Sequence, residues 1–254
     1  MNQYVNPLYR ECPGAFLLSS AIISYPDEGF AVNLKILMSN PDVSERMASV
    51  CPDSWVTLAD YLNEISGDEA SLRDLRSLYV DTFERARPAN SLYETEYGLG
   101  RSLSKGPELL DIATYYKSFG FEMGNEDSSF EMVDHLAVEL EFYALMAMKI
   151  EALSADQDEE GVKIVGDGRR MFLQDHLGGF TKSVLGRPGV LGNSFYFHAV
   201  NCIDALVAAE CSRLGVERRE REWQDELADQ EEEMKCGSIG CFSGNPDAHK
   251  SGQV

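Results

Sequence analysis

Basic side chains are scarce in this chain. Among its 254 residues, 22 Lys and Arg face 43 Asp and Glu, a formal net charge of -21. Nucleic-acid backbones and anionic membranes are held through Lys and Arg clusters, so both are excluded as partners, whereas a basic peptide would be attracted and steered. Long apolar runs are missing too. No window reaches the roughly 18 uncharged apolar residues of a spanning helix, and the most apolar stretch, Leu136 to Leu153, is interrupted by Glu139, Glu141, Lys149 and Glu151. The residues from Met1 to Pro7 carry no basic segment followed by an apolar one, so a secretory signal is not expected. Without export, the six cysteines are expected reduced rather than paired, and the protein cytoplasmic.

Catalytic signatures are equally sparse. Gly178-Gly179-Phe180-Thr181-Lys182-Ser183 lacks the spaced glycine of a phosphate loop, and the three glycines of Gly186 to Gly192 read as a turn. There is neither an HExxH nor the Glu-x-x-His pair that di-metal bundles need. Cys236 and Cys241, with His249 beyond them, are too few and too widely spaced for a closed zinc site, and a loose tail is the simpler reading. No cofactor and no metal are expected.

What is present is helical periodicity, in a chain whose 44% hydrophobic and 26% charged content suits a packed core. Helices are expected from Phe16 to a stop at Tyr25-Pro26, from Phe30 to Met38 before Pro41, and from Trp55 to Ile65. Leu72, Leu75, Tyr79 and Phe83 form the next apolar face, closed by Pro88; residues 89–105 read as a loop, and Gly106-Pro107 opens a helix running to Gly120. Val133, Leu136, Leu140, Tyr143, Ala147 and Ile150 give one continuous stripe. After an acidic connection from Ser154 to Gly161, helices are expected over 162–176 and 194–214, and a charged one over 217–235 with Glu217 and Arg221 as an i, i+4 pair. No β-branched alternation calls for a sheet. The expected fold is all-α: a single bundle of roughly eight to ten helices over residues 1–215, then a charged C-terminal helix over 216–235 and a flexible Cys-containing tail over 236–254.

One constellation stands out, Glu131-Met132-Val133-Asp134-His135. Its plain reading is a helix start: Ser128-x-x-Glu131 fits a capping box, and Asp134 in an early turn is favoured by the helix dipole. Its functional reading is an Asp-His pair projecting from the helix end to grip a peptide.

These residues carry a resemblance. Glu131-x-x-Asp134-His135, followed by Leu136 to Phe142, resembles the Glu-Pro-x-Asp-His segment of the TorD/DmsD/NarJ chaperones, with Met132 in place of the proline. Leu78 to Phe83, then Pro88 and Ser91 to Thr95, resembles the family's Tyr-x-x-x-Phe helix and the loop after it, and Leu110 to Phe121 is similar to the helix leading into the hallmark. The resemblance implies a helical chaperone with no reaction of its own, monomeric or a domain-swapped dimer. Its implied partners are the catalytic subunit of a molybdopterin-containing oxidoreductase, with or without its iron–sulfur subunit, and that subunit's twin-arginine leader; its implied task is to support cofactor insertion before export. Carried onto this chain, the client-binding residues are Glu131, Asp134, His135, Tyr79, Phe83, Ser91, Tyr93 and Glu94, and none is catalytic. Tyr79 and Phe83, one helical turn apart, could equally be core. Two other functions stay open: a metal-dependent hydrolase using His135 with Glu131, Asp134 or Glu139, and a structural adaptor retained in the mature complex.

Overall fold

A computed structural model describes residues 12–65, 68–84, 90–98, 101–121, 132–186 and 194–221, with 101–104 as backbone. Prolines open three of the first four helices. Pro13 starts α1 (Pro13–Ile23), Pro41 starts α3 (Pro41–Val50) and Pro52 starts α4 (Pro52–Ile65), each at a position whose N–H would have no intrahelical partner. α2 (Phe30–Met38) ends where expected. Pro41, expected only as a stop, is also a start: Asn40 before it caps α3 by accepting the Asp42 N–H at 3.0 Å.

α5 (Glu69–Tyr79) widens into a π turn at Val80–Glu84. α6 (Arg101–Ser118) begins before the expected start and carries Pro107 inside it, which costs the helix one N–H near its first turns. α7 (Leu136–Ala155) follows the apolar stripe. The acidic connection shrinks to residues 156–158, because Asp158 caps α8 (Glu159–Phe172) by accepting the Gly161 N–H, and Glu159 and Glu160 suit its positive end. A second π turn, Leu173–Leu177, leads directly into α9 (Gly178–Leu185), and α10 (Phe195–Leu214) closes the bundle. Among the described residues there is no strand, only an isolated bridge between Tyr93 and His135, and no helix is long and apolar enough to cross a membrane.

α1 is apolar almost all round and sits in the middle, packed on α7 and α10 and flanked by α2 and α3. Two aromatic clusters fill the ends of the core. Tyr79, Phe83 and Tyr196 meet edge to face, and Tyr116, Phe142 and Phe172 pack at the other side. One charged network is buried with them: Glu210 of α10 accepts from Arg169 at 2.9 Å and from the Tyr143 hydroxyl at 2.8 Å, with Arg213 beside it.

α10 ends in a Schellman turn. Gly215 takes φ 65°, the Val216 N–H bonds Cys211 O at 2.8 Å and the Gly215 N–H bonds Ser212 O at 3.3 Å. The chain therefore doubles back, and residues 216–221 run over α9 as a non-helical strap. The charged helix expected over 217–235 is not formed in this part. Arg221 does not pair with Glu217, because the strap is ruled by contacts with the bundle rather than by its own i, i+4 spacing. Residues 222–254, including the rest of that expected helix, Cys236, Cys241 and His249, lie outside the described residues.

Candidate functional site

The loop over residues 90–98 is clamped to the start of α7. Leu92 O accepts the Leu136 N–H at 2.8 Å and the Glu94 N–H bonds Asp134 O at 2.9 Å. Asp134 adds its side chain: one carboxylate oxygen accepts both the Thr95 N–H, at 3.2 Å, and the Thr95 hydroxyl, at 2.6 Å. His135 is the N-cap of α7, its Nδ1 accepting the Ala137 N–H at 3.2 Å. That bond requires an unprotonated Nδ1, so Nε2 carries the proton and faces the Tyr79 hydroxyl at 3.4 Å. The helix thus starts at Leu136, one position after His135, and Asp134 lies ahead of it rather than in its first turn. Glu131, with Ser128, lies outside the described residues.

The other proposed client-binding side chains converge on the same place. The Tyr93 ring meets the His135 ring edge-on at 5.0 Å, and Ser91 Oγ accepts the Tyr93 N–H at 3.1 Å, which bends the loop. Tyr79 and Phe83 touch at 5.3 Å, but inside the aromatic core against Tyr196. Asp134 and Glu94 are fully buried, and His135, Tyr79, Phe83 and Ser91 nearly so. In this conformation the group is a lock that fixes the loop rather than an open groove.

Glu94 connects the lock to the surface. It begins a short 3-10 turn, Glu94–Glu96, and one carboxylate oxygen lies 3.0 Å from His176 Nδ1 while the other lies 2.8 Å from Arg221 of the strap. Above them opens a cleft of about 550 Å³ lined by Tyr97, Glu108, Asp111, Asp175, His176 and Arg221. Arg221 also lies 3.3 Å from Glu108 and donates to Asp175 O at 2.8 Å, and His176 Nε2 is 3.4 Å from Asp111. Behind the cleft floor stands Glu139, fully buried beside Glu94. Burial, with the Glu94 charge beside it, pushes the Glu139 carboxyl well above its ordinary value despite the opposing pull of Arg221, and so favours its neutral form.

A raised folded value carries a definite sign. Wild-type stability is fully present below the ordinary Glu value and is lost as pH rises toward the folded one. Glu139→Gln removes this penalty. Its stability relative to wild type is expected to grow between about pH 5 and pH 8, read by urea unfolding at both, and a constant difference would show that Glu139 does not titrate this way.

Several members of this site were not among the expected binding residues. Glu139 showed itself as a charge within the most apolar stretch and as a candidate of the hydrolase alternative, His176 as the end of a helix and Arg221 as half of a helical charge pair. Of the residues of the hydrolase alternative, Asp134 and His135 serve different bonds and Glu131 lies outside the described residues, among which no three His, Cys, Asp or Glu side chains are grouped to hold a metal ion.

No curated protein matches the chain. The model of a family described as nitrate reductase delta subunit matches residues 44–184, more than half of the chain, from α3 through α9 and including the whole clamped loop. The all-helical bundle fits this match, and the chain belongs to the nitrate reductase delta subunit family, the NarJ/TorD-type chaperones of molybdoenzyme maturation.

Proposed function

We propose that this protein is a cytoplasmic chaperone that binds the catalytic subunit of a nitrate-reductase-type molybdoenzyme and keeps it receptive while its cofactor is inserted. It catalyses no reaction of its own and leaves when the client is complete. The observation that carries this reading is the acidic cleft over Glu94, in a chain whose net charge of -21 draws cationic segments toward it. A twin-arginine leader has that chemistry, and holding it delays export. Asp134 and His135 act here by fixing the loop that carries Glu94, while Ser91 and Tyr93 set its shape.

The test is affinity purification from the native cell followed by mass spectrometry. The expected result is a molybdoenzyme catalytic subunit with incomplete cofactor or an uncleaved leader. A stoichiometric metal on the bait with no such subunit would overturn the proposal in favour of hydrolysis. Persistence of the protein in the active, mature enzyme would make it an adaptor subunit.

A further inference from the structure

Burying Glu94 without a cation would be costly, because an unpaired carboxylate loses its hydration and gains nothing in return. The structure solves this with the chain's own Arg221, whose guanidinium meets Glu94 at 2.8 Å, Glu108 at 3.3 Å and Asp175 O at 2.8 Å. Two hydrogen-bond acceptors, Glu108 and Asp175 O, and the carboxylate of Glu94 around one planar group suit a guanidinium, which spreads its donors in a fork, better than an ammonium. The socket has further capacity. His176 lines the same cleft and is 96% buried, and its Nε2 makes no hydrogen bond among the described residues, its nearest charged neighbour being the Asp111 carboxylate at 3.4 Å.

The strap that brings Arg221 here is held to the bundle by side chains rather than by backbone pairing. Among the described residues it has no backbone-to-backbone hydrogen bond beyond those of the Gly215 turn. Side chains hold the rest: Arg218 pairs with Asp204 and donates to Gly178 O at 2.8 Å and Thr181 Oγ1 at 3.0 Å, and the Arg221 N–H bonds Ser183 Oγ at 2.6 Å. Its course also depends on an absent side chain. A Cβ on Gly179 would collide with the carbonyl oxygen of Arg219.

We infer that the cleft over Glu94 is a socket for an arginine side chain of the bound client, and that Arg221 is a resident plug which the client arginine displaces. The inference rests on the client-binding reading above and names the side chain recognised. Exchange of one guanidinium for another keeps Glu94 paired before and after binding, so the client's entry does not leave a buried charge bare. It also makes strap docking and client docking mutually exclusive, and the apparent affinity for client falls by the fraction of time the socket is free.

The test uses the full chain and N-acetyl-arginine amide as probe, with N-acetyl-lysine amide for comparison, followed by NMR of the His176 ring. Arg221→Ala is expected to bind the arginine amide about ten-fold tighter than wild type, the factor corresponding to a socket plugged about nine-tenths of the time. Gly179→Ala leaves every socket residue in place, moves the strap, and should shift affinity in the same direction. Adding Glu94→Gln to Arg221→Ala should abolish the gain, and the lysine amide should bind more weakly throughout. Equal affinity of wild type, Arg221→Ala and Gly179→Ala would overturn the plug. Client capture is measured on the same proteins. Tighter amide binding with unchanged capture would overturn client use of the socket while client binding stands; failure of wild type and all variants to capture any molybdoenzyme subunit would overturn the client reading itself.

Discussion

Glu210→Ala is expected to lower the free energy of unfolding by about 3–5 kcal/mol, the cost of removing one partner from a buried ion pair. Glu210 and Arg169 are each 3% exposed at the side chain and 2.9 Å apart, and the Arg169 guanidinium also lies over the Tyr143 ring at 4.3 Å. Loss of the carboxylate strands that guanidinium in the core and takes the acceptor from the Tyr143 hydroxyl. Burial alone would raise the Glu210 carboxyl, but the hydrogen bond from Arg213 and the charge of Arg169 hold it below its ordinary value. Stability from such a group is present above the ordinary value and is lost as pH falls through the folded one. The gap between wild type and Glu210→Ala should therefore be wide at neutral pH and narrow on acidification. Urea midpoints with unchanged slopes would report it. A gap below about 1 kcal/mol at neutral pH would place this pair with exposed ion pairs, contrary to its burial.

The second large effect concerns Asp134. Its carboxylate accepts two hydrogen bonds from Thr95, and bonds to a charged acceptor contribute about 1.5–3 kcal/mol each. Asp134→Ala is expected to cost about 3 kcal/mol and to release the loop from α7, so that Glu94 is no longer held under the cleft and client capture is lost. Asp134→Asn separates positioning from direct contact. The amide oxygen can still accept both Thr95 bonds, so if Asp134 acts by holding the loop, Asn keeps most of the stability and the capture. Retained stability with lost capture would instead mean that the charge itself meets the client.

Residues close in sequence announced much of this architecture. The stripe from Leu136 to Ile150 is satisfied by α7, with its first member Val133 left in the turn ahead of the helix, and Phe30 to Met38 form α2 as expected, because helix periodicity is a local property. Where a residue has two local meanings, reading was harder. Pro41 ends one helix and opens the next, and the pair Asn40-Pro41, a cap followed by a first-turn proline, was the signal that could have revealed α3. His135 was legible as part of a special segment, but its role as the cap of α7 depends on a loop some forty residues earlier. The candidate site was half legible: family resemblance brought together Asp134, His135, Tyr93 and Glu94, yet neither their burial nor the cleft could be read. Arg221 is the clearest case. It contacts Glu108 across a separation of 113 residues, and no spacing rule links two charges that meet only after the bundle closes.

The π turn between α8 and α9 makes chain length itself a requirement. Leu173–Leu177 lets the helical path continue with one wider loop, and His176 inside that loop reaches both Glu94 and Asp111. Deleting a single residue there would let an ordinary helix form and leave α9 in register, because the wide turn is what absorbs the extra residue. Gly178 and Gly179 would still meet the strap, but the local bulge that carries His176 onto the cleft floor would be gone. At this junction a frame of five residues is as much a part of the binding apparatus as the carboxylates it aligns.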